Sequence, residues 1–167
     1  MIEVKEIEQV FFEAMVDGWA RGAKKTTISE FPGSKAIVWK KGLWRVVDCY
    51  VVGPLVEGTI APLATPGNKS AGSTMIWHSN IPVWMMSYGG YYAEAVIALL
   101  KRVLLAAYEE RKFFGCRGGP PYISGPLTYT NEFQGDFSRF SGREKISDHW
   151  SATLMGWHEY WGMVLTP

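Results

Sequence analysis

The chain has 167 residues, of which 47% are hydrophobic, and 17 basic and 16 acidic side chains leave a net charge of +1. A chain of this length buries about 70% of its unfolded surface, so we expect one domain over residues 1–167 that folds without disulfide or metal. The balanced charge excludes the basic stripe that duplex binders carry, and we expect no nucleic-acid partner.

The cysteines and the N-terminus indicate a cytoplasmic protein. Cys49 and Cys116 are the only cysteines, and they form neither a CxxC pair nor a zinc spacing. The chain starts with charged residues rather than an apolar signal region, so we expect reduced thiols. The most apolar stretch, Ala93 to Tyr108, is shorter than the roughly 20 residues that span a bilayer, and we expect a buried helix and no membrane partner.

The first third of the chain predicts a helix followed by a loop and strands. Apolar residues recur at helical spacing from Ile2 to about Arg21, with charged residues on the other side. After a loop over Lys24–Ser34, period-two patterns predict strands at Ala36–Lys40, Leu43–Val52 and Leu55–Ile60. The glycines and prolines between Ala61 and Gly72 predict a surface loop.

Asp48 is the unusual residue of the second predicted strand. It shares a strand face with the apolar residues Trp44, Val46, Tyr50 and Val52. If that face is buried, Asp48 needs a hydrogen-bonding partner or an altered pKa, and at an exposed strand end it needs neither.

The clearest hairpin runs from Ser73 to Tyr88 around a turn at Ser79–Asn80. A two-residue turn pairs His78 with Ile81 and Trp77 with Pro82. Regular alternation then places Trp77 and Trp84 on one face, with Met75 and Met86 beside them. The opposite face carries Ile76, His78, Val83 and Met85, and Gly89–Gly90 lets the chain leave the sheet.

The second half predicts one more helix and several strands. Ala93–Lys112 forms a helix about 30 Å long, and Gly115–Gly125 is a loop rich in glycine and proline. Four strands follow, near Leu127–Phe133, Phe137–Phe140, Glu144–Ser147 and Trp150–Met155. We therefore predict an α+β fold, in which an antiparallel, strongly curved sheet of about six to eight strands packs against two α-helices.

Several segments of the second half carry a family resemblance. They are Pro82–Gly90, Phe113–Gly115, Arg117–Pro120, Tyr129, Gly135–Phe137 and Phe140–Ile146. These segments resemble a prokaryotic domain-of-unknown-function family whose members occur alone or fused behind a helix-turn-helix DNA-binding domain. The likeness covers most of the chain, with a weak match over residues 1–71. It implies no established activity, but the fusions imply a sensing or effector role.

The ionisable residues suggest an enzyme as one alternative. Asp136 and Glu144, together with a histidine, could perform the acid–base steps of a hydrolase or isomerase if the fold brings them together. The histidines are His78, His149 and His158, and a structural role is the commoner one for such residues. A zinc or iron site would need His149 and His158 to converge with Asp148 or Glu159, and we expect no metal and no cofactor.

The eight tryptophans, eight tyrosines and eight phenylalanines support the main functional prediction. An aromatic stripe on a strand is most often core, and a pocket and a homodimer interface are the alternatives. We predict a small-molecule binding or sensing domain whose pocket lies between sheet and helix. The residues predicted to line it are Trp77, Trp84, Tyr88 and Tyr129, and those predicted to orient the ligand are Asp48, Arg117 and Glu144.

Overall fold

A computed structural model describes residues 2–20, 22, 24–56 and 66–166 of the protein. Eight antiparallel strands form one sheet: β1 (Lys35–Lys41), β2 (Trp44–Val56), β3 (Gly67–His78), β4 (Ile81–Ala93), β5 (Tyr122–Ser124), β6 (Leu127–Asp136), β7 (Arg139–Asp148) and β8 (Thr153–Val164). The helices are α1 (Val4–Ala14), which continues into a π-helical segment at Met15–Ala20, and α2 (Ile97–Glu109), which follows a 3₁₀ turn at Glu94–Val96. The α+β class is confirmed.

The strands lie in the order β1-β2-β3-β4-β8-β7-β6-β5. The last strand of the chain therefore joins two meanders, because β8 pairs with β4 on one side and with β7 on the other. The sheet is open, and β1 and β5 are its edge strands. This arrangement places β3, β4, β8 and β7 at the centre.

Both helices cover the same face of the sheet, which we call the inner face. Phe11 of α1 packs against Trp84 of β4 and Tyr108 of α2, with ring centroids 5.1 and 6.0 Å apart. The Trp84 ring also stacks on Phe137 at 5.1 Å, and its indole N–H donates to the Phe137 carbonyl oxygen at 3.2 Å. The inner face therefore carries the core, as an amphipathic helix packed on a sheet requires.

The opposite, outer face is not covered by any helix of the described residues. It carries Trp77 and Trp157, and arginines lie over both rings, with Arg45 at 4.6 Å from the Trp77 centroid and Arg143 at 5.0 Å from that of Trp157. Trp161 on the same face is 48% exposed. The homodimer considered from the sequence would use this face, and it stays a prediction. In the described part of the chain no helix has the length and apolar character needed to cross a bilayer.

The hairpin register is confirmed near the turn, but the predicted shared face of Trp77 and Trp84 is wrong. His78 pairs with Ile81 and Trp77 with Pro82, as expected. A bulge at Val83 then places Trp84 opposite Ile76, which reverses the alternation for the rest of β4. Trp84 and Met86 therefore point inward, whereas Trp77 faces outward.

Several predicted boundaries are also wrong because glycine and proline do not end these strands. Leu55 and Val56 continue β2, and Gly67–Gly72 belongs to β3 rather than to a loop. Gly89 and Gly90 stay within β4, and β8 continues beyond Met155. The rest of the predicted third strand and loop, at residues 57–65, lies outside the described residues.

We predict that Phe11→Ala lowers the free energy of unfolding by about 3–5 kcal/mol, because the ring is fully buried between α1, α2 and the sheet. Phe31→Ala is the matched control, since that ring is 59% exposed, and its effect should stay within about 0.5 kcal/mol. Urea denaturation followed by tryptophan fluorescence measures both. Equal losses for the two variants would show that α1 does not hold the core.

Candidate functional site

The centre of the inner face carries a row of polar positions where most sheets carry aliphatic ones. Strand register aligns Ser70 of β3, Gly90 of β4, His158 of β8 and Glu144 of β7. His158 and Glu144 are 2% and 0% exposed. Such groups need internal partners, because an unpaired polar group costs free energy when it leaves water.

A buried loop supplies the partner of this row. Gly115 and Cys116 both have left-handed backbone angles, with φ of 75° and 62°, so the chain folds back over the sheet after α2. Asn131 Nδ2 donates to the Phe114 carbonyl oxygen at 2.8 Å, and the Gly119 N–H donates to the Tyr129 hydroxyl at 3.2 Å. These bonds satisfy the loop's buried backbone and hold Arg117 against the polar row.

Arg117 contacts both ionisable members of the row through its Nε atom. The Nε–H donates to His158 Nδ1 at 3.0 Å, and Glu144 Oε1 lies 3.2 Å from the same Nε. Because Nε carries a single hydrogen, the contact with Glu144 is an ion pair, and the hydrogen bond belongs to His158. The guanidinium also lies over the Tyr88 ring, with 4.1 Å from Cζ to the centroid.

Glu144 balances the charge of Arg117. Burial raises the pKa of this carboxyl, and the opposing influences are Arg117 and the hydroxyls of Tyr92 and Tyr129. The Tyr129 hydroxyl donates to Glu144 Oε2 at 2.9 Å. Glu144 and Arg117 are thus a buried pair, in which either group alone would be strongly unfavourable.

Asp48 forms a second buried carboxyl site on the inner face. Its Oδ1 accepts hydrogen bonds of 2.8 Å from both the Thr74 hydroxyl and the Tyr88 hydroxyl. Burial raises the pKa of Asp48, which those two hydrogen bonds and the charge of Arg117 oppose. Tyr88 therefore connects Asp48 to Arg117, through its hydroxyl on one side and its ring on the other. The prediction that a buried Asp48 needs partners is confirmed.

The contact with Arg117 determines the tautomer of His158. An arginine Nε–H only donates, so His158 Nδ1 must be the unprotonated nitrogen, and the proton lies on Nε2. Nε2 is 3.1 Å from Ser70 Oγ, which therefore accepts this hydrogen bond. Burial, and then the charge of Arg117, lowers the pKa of His158 from 6.5 to about 2. The imidazole is neutral at any ordinary pH.

Gly90 provides the space for the imidazole. His158 lies between the rings of Tyr88 and Tyr92, with centroid distances of 5.8 and 4.6 Å. A Cβ on Gly90 would lie 2.7 Å from Cδ2 of His158, closer than side chains pack. The glycine at this strand position is therefore required by packing.

A cavity of about 390 Å³ lies between this network and α2. The Ser70, Arg117 and His158 side chains line its inner part. Its walls are formed by Tyr50, Val52, Tyr88, Tyr92, Ile97 and Leu100. Exposed residues also line it, namely Lys25, Lys35, Glu94 and Lys101, and they form its mouth.

The structure brings together five of the seven residues predicted to form a site. Asp48, Tyr88, Arg117, Tyr129 and Glu144 join one buried network, although only Tyr88 and Arg117 line the cavity. Trp84 lies in the core, and Trp77 lies on the outer face.

The residues of the predicted acid–base site lie apart. The Asp136 side chain binds the backbone N–H and hydroxyl of Ser138 at an exposed hairpin end. Asp136 pairs with Arg139, five residues along β7 from Glu144, which corresponds to roughly 16 Å of strand. His149 is exposed, whereas His158 is buried. Within the described ranges no three His, Cys, Asp or Glu side chains group as metal ligands would.

His158, Ser70 and Tyr92 were not among the residues predicted to form the site. The sequence favours a structural role for His158, but it does not place this histidine on the sheet, because the predicted strand ends at Met155. The signal was present in the alternation of residues 156–163, where Gly156, His158, Tyr160 and Gly162 are buried. Small and large residues that alternate along one face of a strand indicate that side chains of the adjacent strands pack over the small positions.

A family model matches residues 66–163, which is more than half of the chain and contains β3 to β8 up to Met163. The model is that of a domain of unknown function, DUF5680. The chain belongs to the DUF5680 family. No curated protein and no solved structure matches it.

The DUF5680 match contains the buried network apart from one residue. Arg117, Glu144, His158 and Tyr88 all lie within the matched segment, whereas Asp48 lies before it. The resemblance noted from the sequence is thus confirmed as membership of a family of unknown function. Its prokaryotic origin and its helix-turn-helix fusions stay predictions.

We predict that Gly90→Ala lowers the free energy of unfolding by about 1–3 kcal/mol, because the new methyl group would overlap His158 and the β8 backbone. Gly89→Ala is the matched control, since the nearest atoms to a Cβ there are 3.4 Å away. Its effect should stay within about 0.5 kcal/mol. Chemical denaturation compares the two, and an equal effect of both substitutions would contradict the packing described for His158.

We predict that His158 makes the protein less stable in mild acid. Its pKa is lower in the folded state than in the unfolded state, so below pH 6.5 the unfolded chain binds a proton that the folded chain does not. From pH 7 to pH 5 this costs about 2 kcal/mol of unfolding free energy in the wild type and nothing in His158→Gln. Denaturation of both proteins at each pH gives the difference. Asp48 and Glu144 are present in both proteins, so their contributions cancel in that difference.

The exposed His149 supplies a control for that measurement, since His149→Gln also removes an imidazole but leaves the network intact. Nitrogen NMR of the imidazole rings gives an independent check. We expect the Nε2–H tautomer for His158, with no titration between pH 5 and pH 8. A midpoint near 6.5, or an Nδ1–H tautomer, would contradict the contact with Arg117.

Proposed function

We propose that this DUF5680 domain is a small-molecule binding domain whose ligand occupies the cavity between the sheet and α2. The observation that carries the proposal is the combination of a cavity of about 390 Å³ with fixed polar groups, namely Ser70, Arg117 and His158, in its inner part. Ligand sites are typically concave and apolar, with a few well-oriented polar groups. This volume suits a small organic molecule.

The walls of the cavity favour a ligand with a flat or apolar part. Tyr50 of β2 and Tyr88 and Tyr92 of β4 contribute rings from the inner face, and Ile97 and Leu100 contribute aliphatic surface from α2. Rings offer a large contact area at little entropic cost. Tyr88 and Tyr92 are 8% and 5% exposed, so they are already held in place before a ligand binds.

The chemistry of the network favours binding over acid–base catalysis. A serine nucleophile needs a histidine nitrogen that accepts its proton, but His158 Nε2 carries a hydrogen toward Ser70. The other nitrogen, Nδ1, is occupied by the hydrogen bond from Arg117. Glu144 is also held, by Arg117 and Tyr129. A hydrolase or isomerase using Asp136 and Glu144 would need those groups to converge, and they lie apart.

A sensing role and a cytoplasmic location complete the proposal. The sensing role is supported by the resemblance to proteins fused to DNA-binding domains, in which a bound ligand would be the signal. The cytoplasmic location is supported by Cys49 and Cys116, both of which are free thiols.

We predict that filling the cavity weakens binding of the neutral dye N-phenyl-1-naphthylamine at least tenfold. Val52→Trp places an indole in the cavity from the inner face of β2. Val51→Trp is the matched control, because Val51 lies next along the same strand and lines a groove on the outer face. The two valines are 40% and 44% exposed, so both indoles can be accommodated.

Dye fluorescence titration provides the measurement. We expect saturable binding to the wild type and to Val51→Trp, and at least tenfold weaker binding to Val52→Trp. A library of metabolites screened by thermal shift extends the test, since a ligand at 100 times its Kd adds about 2.7 kcal/mol of stability. Hits must stabilise the wild type and Val51→Trp but not Val52→Trp. The absence of dye binding and of any hit would refute the proposal.

A further inference from the structure

We propose that the ligand of this cavity is a small organic anion, in which a carboxylate or phosphate group is attached to an apolar, ring-containing body. The inference rests on the proposed function and adds the charge of the ligand. It is carried by the positive charges that three separate elements bring to one opening.

The cations at the cavity come from different parts of the chain. Lys25 precedes β1, Lys35 begins β1, and Lys101 lies on α2 one turn after Ile97, while Arg117 lies at the inner end. Glu94 is the only carboxylate among the described residues that line the cavity. Because Glu144 balances Arg117, the three lysines and Glu94 leave an excess of two positive charges at the cavity, whereas the whole chain has a net charge of +1.

Local partners do not neutralise the mouth. Among the described residues the ion pairs are Lys41–Glu13, Lys112–Glu110, Arg143–Glu159 and Arg117–Glu144. None of these pairs involves Lys25, Lys35 or Lys101. Lys25 instead lies over the Tyr50 ring, 5.7 Å from its centroid, which directs its ammonium group to the cavity side of β2.

The carboxylates of the network are bonded to other groups, although the charge of Lys25 also helps to lower the pKa of Asp48. Glu144 is paired with Arg117 below the cavity, and Asp48 is bonded to Thr74 and Tyr88. Neither carboxylate lines the cavity. A positively lined cleft with apolar walls concentrates its field and attracts anions. An acid group at the lysines would leave the body of the ligand against the tyrosines, Ile97 and Leu100.

Two dyes separate charge from shape. 1-Anilinonaphthalene-8-sulfonate carries the same ring system as N-phenyl-1-naphthylamine with one sulfonate added. We expect the double variant Lys35→Gln, Lys101→Gln to bind the anionic dye about threefold or more weakly, and the neutral dye within about twofold of the wild type. Raising the salt concentration from 50 to 500 mM should weaken the binding of the anionic dye and leave the binding of the neutral dye unchanged.

Lys69→Gln is the control for overall charge, because Lys69 is adjacent to Ser70 on β3 and does not line the cavity. It should leave both dyes unchanged. Val52→Trp tests whether both dyes occupy the cavity. If it weakens the binding of both dyes, a loss of binding in the lysine variant can be assigned to the cavity.

Competition identifies the acid group. 2-Naphthoate, 2-naphthyl phosphate and the neutral 2-naphthamide are each used to displace the sulfonate dye. Stronger displacement by either acid than by the amide supports the inference, and the better of the two acids gives the ligand class. Equal displacement by all three overturns it.

The two proposals fail in different ways. Binding of the neutral dye in the cavity, with no effect of salt or of the lysine substitutions on the anionic dye, overturns the anion inference and leaves small-molecule binding intact. If neither dye binds and no library compound stabilises the protein, both proposals are refuted. Equal weakening of both dyes by the double lysine variant would also contradict a role for charge.

Discussion

The contact of Arg117 with Glu144 and His158 is the interaction on which the inner face depends. The guanidinium supplies the charge that Glu144 needs and the hydrogen that fixes the tautomer of His158. Removing one partner of such a buried pair typically costs about 3–5 kcal/mol, because the other charge is left uncompensated. Arg117 reaches the network from a buried loop, Gly115–Gly119. The backbone groups of this loop segment therefore need partners, and side chains of β6 hydrogen-bond to Gly119 and to the preceding Phe114.

The network exists because glycines on one strand face large side chains on the next. Gly90 accommodates His158, and Gly72 lies beneath the Tyr88 hydroxyl, which reaches across it to Asp48. Glycine weakens a strand when considered alone. Here it lets polar side chains lie along the sheet, where they reach partners two strands away. The polar centre and the glycines of β3 and β4 are therefore one feature of the fold.

The sequence predicted the fold class, the hairpin turn and the need of Asp48 for partners, because each follows from local pattern. It did not predict the inward position of Trp84, because a single bulge at Val83 reverses the alternation. The sequence around Val83 contains no glycine that would indicate a bulge. The partnership of Arg117 with His158 joins residues 41 positions apart and depends on the insertion of β8 between β4 and β7. Periodicity carries no information about strand order. The strong curvature predicted for the sheet stays a prediction.

The division between the DUF5680 segment and the preceding residues matches a division of roles at the cavity. The matched segment, residues 66–163, supplies Arg117, His158, Ser70 and two tyrosines, which form a rigid interior. Lys25, Lys35, Tyr50 and Val52, which supply part of the mouth and one wall, lie before it. The interior is constrained by burial, because each of its polar groups needs a particular partner. The lysines are exposed and have no such constraint, so changes there alter the preferred ligand at little cost in stability.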